Sequence, residues 1–420
     1  MQQDPLGDRE REIAVRKAQR CSMLSGVILL AALHSGTRGD RGSVPGSPRS
    51  TPHLVQEFIG PNYHFASAVA LSKTTLAISD STGVTAPSVV NIYRKERSGW
   101  QMTQQLGERA DAFGFGTGVV LSGSNLIISA ADSQVDAYTS HNGHWASMGQ
   151  LRAPGITGAD YFGSSPDWGG GLALSGNTLV VGAAGYGAGR AYVFQRGRHG
   201  WFLSTQFEAP DRSPKGNFGE SVAIYGSTIV IGADRTAGRA GRAYVFERSH
   251  SKWEQTAELK ASGPPGSEFF GSAVAVNGST LAVGGALGAA TKYEGRVYVF
   301  RKIGPVWKQV ALLKGSDTGP DDDFGTTMVM SDKELVVGAF DHTGQGRVYL
   351  FAPFGARWTQ VAELGPHDLS KDQFGEFGAS LAQAGSLLLV GATGIQVGAT
   401  GNISSASWNG RGYLYRVGSK

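Results

Sequence analysis

Short apolar runs, separated by two or three polar or glycine residues, recur along most of the chain. In one copy, runs at 221–224 and 228–232 flank a tight-turn signal, a third lies at 243–246, and 253–259 alternates apolar with polar residues. Short runs rich in β-branched and aromatic residues predict strands. No window shows a sustained helical period, so the repeat predicts four antiparallel strands and an all-β fold.

The copies recur with a period of about 50 residues, which is typical of propeller blades. Each copy begins at a Phe, and we assign these Phe anchors to Phe65, Phe113, Phe162, Phe218, Phe270, Phe324 and Phe374. Six copies carry a Trp in the fourth strand: Trp100, Trp145, Trp201, Trp253, Trp307 and Trp358. Seven copies of four strands predict a seven-bladed β-propeller.

The two ends of the chain indicate how the ring closes. The seventh copy ends after its third strand, at 410–415, and has no Trp strand. An unassigned strand at 53–59 precedes the first copy, with His53 at the Trp position and Ile59 at the apolar position six residues later. We therefore predict that the N-terminal strand completes the last blade, which removes an exposed edge. The predicted propeller covers residues 53–417.

The Phe-Gly opening, present in every copy but the first, where Ala66 follows Phe65, and the Gly-Ala end of the second strand, as at 228–233, resemble the FG-GAP repeat. This repeat is the blade unit of integrin α-chain heads and of many bacterial surface proteins. The resemblance covers 53–417 and is strongest in copies three to six. Kelch repeats are the nearest alternative, and Gly284-Gly285 is the kelch-like variant here. Either family implies a propeller, and FG-GAP implies a surface or secreted binding protein.

The net charge of +4 does not indicate a nucleic-acid-binding propeller. Residues 1–50 hold eight Lys and Arg against five Asp and Glu, whereas the remaining 370 residues hold 30 against 29. A nearly neutral propeller lacks the basic stripe that nucleic acid requires. We predict a monomer.

The first 36 residues have the pattern of a signal peptide: a basic segment, an apolar run at 23–33, and small residues after it. The run is too short to span a bilayer. A Gly-, Ser- and Pro-rich flexible linker follows at 37–52. We predict export to the cell surface, the periplasm or the medium, with no membrane span in the mature chain; the alternative is a disordered tail. The single cysteine, Cys21, excludes an intrachain disulfide.

Integrin-type blades often bind calcium through an Asp-x-Asp-x-Asp-Gly loop between the first and second strands. Calcium takes six to eight oxygen ligands, so such loops cluster carboxylates. Here the corresponding turns are minimal, and only the one containing Asp332 has a carboxylate. We predict no metal site and no cofactor.

Two recurrent charged positions are interpreted as structural supports. An acid stands two residues before most anchors: Asp111, Asp160, Glu268, Asp322 and Asp372. It is predicted to hold backbone N–H groups, with a ring of acidic ligands as the alternative. An Arg opens five third strands: Arg190, Arg242, Arg296, Arg347 and Arg411. These are predicted to pair with carboxylates, with anion binding as the alternative, and the recurrent Trp are predicted to pack between blades.

Residues outside the repeat are better candidates for ligand binding, since functional residues concentrate on loops. Asp167 and Trp168 belong to an insertion beside the first strand of copy three, at a predicted mouth of the channel. Trp408 lies in the longest loop between second and third strands, at 393–409. The other loops of this kind contribute Tyr186, Asp234, Arg235, Tyr293, Asp341 and His342. A Trp beside a carboxylate is suited to a sugar ring and its hydroxyls.

The sequence favours an exported binding module that recognises a protein or carbohydrate ligand through the loop face of the propeller. Metalloprotease and serine-hydrolase motifs are both lacking, so no catalytic residue is assigned. One alternative is a hydrolase or lyase that uses Asp167, Asp234 and Asp341, because folds do not by themselves determine function. Another is a structural surface protein without a small ligand.

Overall fold

The computed structural model describes residues 51–81, 88–107, 114–131, 133–164, 171–185, 187–210, 215–262, 269–285, 295–355, 357–367, 369, 375–397 and 407–418. These residues form seven four-stranded sheets in which all neighbouring strands are antiparallel. The predicted all-β, seven-bladed propeller is therefore confirmed. The predicted leader and nearly all of the linker lie outside the described residues.

Each blade has an innermost, a second, a third and an outermost strand. The innermost strands are β2 (His64–Leu71), β6 (Gly118–Ser122), β10 (Leu172–Ser175), β14 (Val222–Tyr225), β18 (Phe270–Asn277), β22 (Thr327–Met330) and β26 (Glu376–Ala384). The second strands are β3 (Thr75–Ser81), β7 (Asn125–Ser129), β11 (Thr178–Ala183), β15 (Thr228–Ala233), β19 (Thr280–Gly285), β23 (Leu335–Ala339) and β27 (Leu387–Val397). The third strands are β4 (Val89–Glu96), β8 (Val135–His141), β12 (Arg190–Gly197), β16 (Arg242–Ser249), β20 (Arg296–Ile303), β24 (Arg347–Phe354) and β28 (Ser407–Arg416). The outermost strands, from blade one to blade seven, are β5 (Gly99–Gly107), β9 (His144–Leu151), β13 (Gly200–Glu208), β17 (Lys252–Leu259), β21 (Val306–Leu313), β25 (Arg357–Leu364) and β1 (His53–Ile59).

Helical structure is confined, within the described ranges, to short turns at Gly158–Asp160, Thr236–Arg239 and His342–Gly344. No helix in this part of the chain is long and apolar enough to cross a bilayer.

The core of the propeller lies between its blades. The innermost strands contact one another in sequence around the ring, and β26 contacts β2 to close it. Seven clusters of buried apolar residues each combine side chains from two adjacent blades. Trp100, Trp145 and Trp307 are buried members of such clusters, as the sequence predicted. The second strands are covered on both faces, which explains why their sequences do not alternate.

Two Phe anchors were assigned wrongly from the sequence. In blades two and seven the buried anchors are Phe115 and Phe377, each followed by a glycine with positive φ. Phe113 and Phe374 lie outside the described residues. Both copies contain two Phe-Gly pairs, so spacing alone could not separate them. The pair nearer the first strand serves as the anchor because the backbone must turn directly into that strand.

The contact between consecutive blades explains why Phe-Gly and Gly-Ala recur together. At five junctions, the carbonyl of the residue after an anchor approaches a glycine of the second strand in the preceding blade so closely that a Cβ there would clash with it; these glycines are Gly182, Gly232, Gly284, Gly338 and Gly391. Hydroxyl groups stabilise the same contact: Ser221 Oγ donates to the Gly271 carbonyl at 2.8 Å, and Ser380 Oγ donates to the Ala66 carbonyl at 2.7 Å. Phe-Gly of one blade and Gly-Ala of the preceding blade therefore form the contact between the two blades.

The predicted ring closure is confirmed, but its predicted register is wrong by one residue. β1 pairs with β28 as the outermost strand of blade seven. The buried apolar position belongs to Phe58, which is 5% exposed and lies opposite Gly412. Ile59 is 62% exposed, and His53 is exposed rather than packed as a substitute for Trp. A slip of one residue exchanges the two faces of a strand, and both 58 and 59 are apolar, so the sequence did not distinguish them.

Three of the five recurrent arginines, Arg242, Arg347 and Arg411, form ion pairs within their own blades, as predicted. Arg242 Nε lies 3.0 Å from Glu258, and Arg347 Nε lies 3.2 Å from Glu363. Arg411 repeats the pairing in blade seven at 2.6 Å from Glu57 on β1, so this ion pair also joins the two ends of the chain.

The recurrent acids hold backbone turns where the structure describes them. Asp160 accepts the Thr157 N–H at 2.6 Å, and Asp322 accepts the Gly319 N–H at 2.6 Å. Both contacts span three residues and fix the connection that enters the blade, which supports the structural interpretation. The equivalent Asp111, Glu268 and Asp372 lie outside the described residues.

Candidate functional site

The two faces of the ring differ in the kind of connection they carry. Because consecutive strands are antiparallel, the turns between first and second strands and between third and fourth strands lie on one face, here called the hairpin face. The loops between second and third strands and the connections between blades lie on the other, here called the loop face. Hairpin-face turns are short and repeated, whereas loop-face connections vary in length and sequence.

A cavity of about 410 Å³ lies between the innermost strands and forms the central channel. Its loop-face end is lined by hydroxyl groups that follow the anchors, including Ser67, Thr117, Ser164 and Ser380. The deeper part is lined by Val, Leu and Met side chains. Within the described residues, the buried Ser164 Oγ has no hydrogen-bond partner. The channel mouth therefore offers polar groups above an apolar interior.

The insertion that carries Asp167 and Trp168 begins and ends at this channel. Gly163, Ser164, Gly171 and Leu172 all line it, so both ends of the insertion lie at the channel wall, where the sequence predicted them. Asp167 and Trp168 themselves lie outside the described residues, and their role stays a prediction.

Blade six contains a network of acidic, histidine and tyrosine side chains on the loop face. His342 Nδ1 lies 2.8 Å from Asp322 Oδ2, and His342 Nε2 lies 3.5 Å from Asp317 Oδ2. The Tyr349 hydroxyl donates to Asp317 Oδ1 at 2.7 Å. Burial, and then the hydrogen bond to Asp317, raise the pKa of Tyr349, so this hydroxyl remains a donor. The half-exposed Asp317 carboxylate is thus held in one position by buried neighbours.

A second cluster lies where blade seven meets blade one. The Asn62 side chain donates to Asp80 Oδ1 at 2.8 Å. Burial raises the pKa of Asp80, and the hydrogen bond from Asn62 opposes part of that rise. Tyr63 packs its ring over Gly394, where an added Cβ would lie 2.9 Å from the ring, and it contacts His64 edge-to-face at 4.7 Å. Tyr63 is 38% exposed, so it presents an immobilised aromatic surface.

The segment predicted as the longest loop, 393–409, is partly a β-hairpin. β27 and β28 extend beyond the sheet of blade seven and pair Ile395 with Asn409, Gln396 with Trp408, and Val397 with Ser407. The sequence prediction was wrong here because small residues dominated the segment and concealed the short β-forming run at 395–397. The backbone of Trp408 therefore lies in a strand, and its side chain is outside the described set.

The remaining candidates occupy different environments. Asp234 directly follows β15 and is 1% exposed, whereas the neighbouring Arg235 is exposed. Asp341 is half-buried beside the buried His342. Tyr186 and Tyr293 lie outside the described residues. Among the candidates whose side chains the structure describes, His342 belongs to the blade-six network, and Asp341 is its neighbour in sequence.

Sequence reasoning did not select Asp317, Tyr349 or Tyr63. Tyr349 belongs to a repeated third-strand position, while Asp317 and Tyr63 lie in connections between blades. A usable signal existed for Tyr63, because the connection at 60–63 is short and nevertheless contains an aromatic residue.

Chelation of divalent cations is expected to leave the melting temperature unchanged. Within the described ranges, no group of three or more His, Cys, Asp or Glu side chains could hold a metal ion, and the turns between first and second strands lack the carboxylates that calcium needs. Differential scanning fluorimetry with and without chelator measures this. A fall of several degrees would contradict the prediction and reveal a metal site.

The arrangement of blades defines the class of protein: a seven-bladed β-propeller with its variable connections on one face. The FG-GAP repeat model matches residues 201–246, 253–300 and 307–351. These matches lie in blades three to six, where the sequence resemblance was strongest. The chain is therefore a seven-bladed β-propeller that contains FG-GAP repeats within residues 201–351.

A solved structure of a protein from Lactobacillus plantarum is similar to this chain, with 11% sequence identity and a TM-score of 0.49. The match covers 71% of this chain and 84% of that one. No curated protein sequence matches the chain.

Proposed function

We propose that this propeller is an exported binding module that holds a protein or glycan ligand on its loop face and performs no chemistry on it. The observation that carries this proposal is that the loop face presents exposed groups fixed by buried partners. Asp317 is held by Tyr349 and His342, and Tyr63 is packed over Gly394. Groups that are already immobilised lose little entropy on binding, which favours affinity.

The chemistry of these groups suits both classes of ligand. A tyrosine ring can stack on the C–H face of a sugar or pack at the centre of a protein interface. A carboxylate accepts hydrogen bonds from sugar hydroxyls or from lysine and arginine side chains. Export is supported by the basic, apolar and small-residue pattern of the leader.

A glycan array tests the glycan form of the proposal, with Tyr63→Ala compared to Tyr225→Ala. Both tyrosines are exposed, at 38% and 48%, but Tyr225 ends β14 on the hairpin face. Loss of an aromatic contact costs about 1–2 kcal/mol or more at an interface, so Tyr63→Ala is expected to weaken array binding about tenfold or more. Tyr225→Ala is expected to bind as wild type.

Asp317→Asn provides a second loop-face variant, since it keeps the size of the side chain and removes its charge. Binding that is lost with Tyr225→Ala and retained in both loop-face variants would contradict the assignment to this face. An array without signal for wild type would rule out the glycan form and leave the protein form.

A further inference from the structure

A cavity of about 260 Å³ opens on the hairpin face between blades one and two, away from the loop-face groups described above. Its polar lining includes Arg94 and the hydroxyl groups of Thr75, Thr103, Ser124 and Ser140. Ile92 and Trp145 provide apolar surface. We call this cavity the notch.

Comparison with other blades explains why the notch is open. In blades three and five, the residue opposite the fourth-strand Trp is a long cation: Arg196 faces Trp201, and Lys302 faces Trp307. Each reaches back to the preceding blade. Arg196 donates to Thr139 Oγ1 at 2.9 Å, and Lys302 bonds both carboxylate oxygens of Glu247 at 2.7 Å. These side chains occupy the space between their blades.

Blade two has a serine at this position. Ser140 lies opposite Trp145, and its short side chain leaves unfilled the space that a long cation occupies elsewhere. Ser140 is half-buried, and none of the described side chains bonds its hydroxyl. The notch therefore results from one small residue at a position where blades three, four and five place Arg or Lys.

At the junction between blades one and two, the cation belongs to the earlier blade. Arg94 belongs to β4 of blade one, and its guanidinium extends over Gly143 in blade two, where an added Cβ would lie 2.2 Å from Nη1. In the described part of the chain, no side chain accepts a hydrogen bond from this guanidinium or forms an ion pair with it. An arginine that no described side chain engages, beside a polar cavity, is available to a ligand.

The surrounding charge favours an anion. Turns of blade one near the notch carry Lys73, Lys95 and Arg97 against a single acid, Glu96, and the neighbouring turns of blade two at 122–124 and 141–144 contain no acid. A guanidinium and hydroxyl groups are the donors that bind sulfate, phosphate and carboxylate oxygens. The cavity is larger than a single oxyanion group needs. Its several hydroxyl groups suit a molecule that carries several hydroxyl groups of its own.

We propose that the notch binds an oxyanion group carried on a small polar molecule, such as a sulfated or phosphorylated sugar. Arg94 contacts the oxyanion, and Thr75, Thr103 and Ser140 bond the remainder of the molecule. This site is independent of the proposed ligand surface on the loop face.

Isothermal titration calorimetry with four probes tests the proposal: inorganic sulfate, glucose 6-phosphate, N-acetylglucosamine 6-sulfate and unsubstituted N-acetylglucosamine. We expect the two substituted sugars to bind and the unsubstituted sugar not to bind. Sulfate binding as tightly as the sugars would show that the free ion is the ligand, whereas weaker sulfate binding would show that the sugar contributes. No heat with any of the three anionic probes overturns the proposal.

Two arginine variants distinguish binding in the notch from attraction by general surface charge. Arg94→Ala is expected to weaken binding about tenfold or more, since a charge-assisted hydrogen bond of the usual strength corresponds to about that factor. Arg301→Ala is the matched control, because Arg301 lies opposite Thr280 in blade five as Arg94 lies opposite Thr75 in blade one. Equal losses in both variants overturn the proposal.

Ser140→Arg is the most discriminating variant. It gives blade two the arginine that blade three has at Arg196, fills the notch, and adds positive charge. Binding inside the notch is expected to be abolished, whereas attraction by surface charge alone would become stronger. Tighter binding by Ser140→Arg, in a protein with the wild-type melting temperature, overturns the proposal.

Discussion

Deletion of residues 53–60 is expected to lower the melting temperature sharply and to cause aggregation. The deletion removes β1, so β28 loses its partner and blade seven becomes a three-stranded sheet with an open edge. It also removes Phe58 from the cluster that Phe65, Trp100 and Leu414 form between blades seven and one. Loss of a buried Phe side chain alone costs about 3–5 kcal/mol, a large share of the roughly 5–15 kcal/mol that stabilises a domain.

Further contacts across the closure are lost in the same deletion. The Gln56 side chain bonds both the N–H and the carbonyl of Trp100, each at 3.0 Å, and so fastens blade seven to blade one. Gln104 bonds Trp145 in the same way between blades one and two. The N-terminal strand therefore belongs to the ring in the same manner as an internal strand.

Controls distinguish ring closure from a general effect of truncation. A chain that begins at residue 51 retains β1 and is expected to melt as the full chain does. Phe58→Ala is expected to be destabilising, whereas Ile59→Ala, which alters an exposed side chain, is expected to change stability by about 0.5 kcal/mol or less. Thermal unfolding followed by circular dichroism measures all four proteins. A 53–60 deletion that melts with the full chain would refute closure, and a larger effect at Ile59 would refute the register.

The fold was predictable because each copy of the repeat contains nearly the same order of apolar runs and turns. A pattern that is ambiguous in one copy can be interpreted from the others: the strand at 228–232 was recognisable because similar runs occur at 179–183 and 335–339. Where a copy offered two equivalent solutions, repetition did not help. Phe113 and Phe115 each precede a glycine, and Phe58 and Ile59 are both apolar, so the choice depended on backbone geometry and on which face of the strand is buried.

The candidate site was less predictable because it depends on residues that occur once. Asp317 is one acid among many in the sequence, and its fixed position arises from Tyr349, 32 residues further along the chain. Neither residue is distinctive alone, and a single sequence does not reveal that they meet. Asp234 illustrates the opposite error: its position after a second strand suggested a loop tip, but the structure buries it.

The notch was partly predictable from the sequence, less so than the fold and more so than the loop-face site. The residue five positions before the fourth-strand Trp is Arg196, Arg248 and Lys302 in blades three to five, and Ser140 in blade two. The substitution was therefore visible in the sequence as a departure from the repeat. Its consequence was not visible, because only the structure shows that the cation at this position fills the space between blades.

Gly232→Ala is expected to destabilise the propeller by about 3 kcal/mol, at the upper end of the range for overpacking in a core. An added Cβ would lie 2.0 Å from the Gly271 carbonyl oxygen of the next blade and 2.3 Å from Ser221 Oγ. Because the obstructing atom belongs to the backbone, the clash is relieved only if blades four and five move apart. That movement would also break the 2.8 Å hydrogen bond from Ser221 Oγ to the same carbonyl.

Gly107→Ala is the matched control for this variant. Gly107 ends the exposed strand β5, and no heavy atom lies within 4 Å of a Cβ added there. The same change of one methyl group is therefore expected to alter stability by about 0.5 kcal/mol or less. Urea denaturation of both variants beside wild type measures the difference. If Gly232→Ala unfolds at the same urea concentration as Gly107→Ala, close approach between blades is not the reason that glycine recurs before alanine, and the motif must owe its composition to the conformation of the second strand itself.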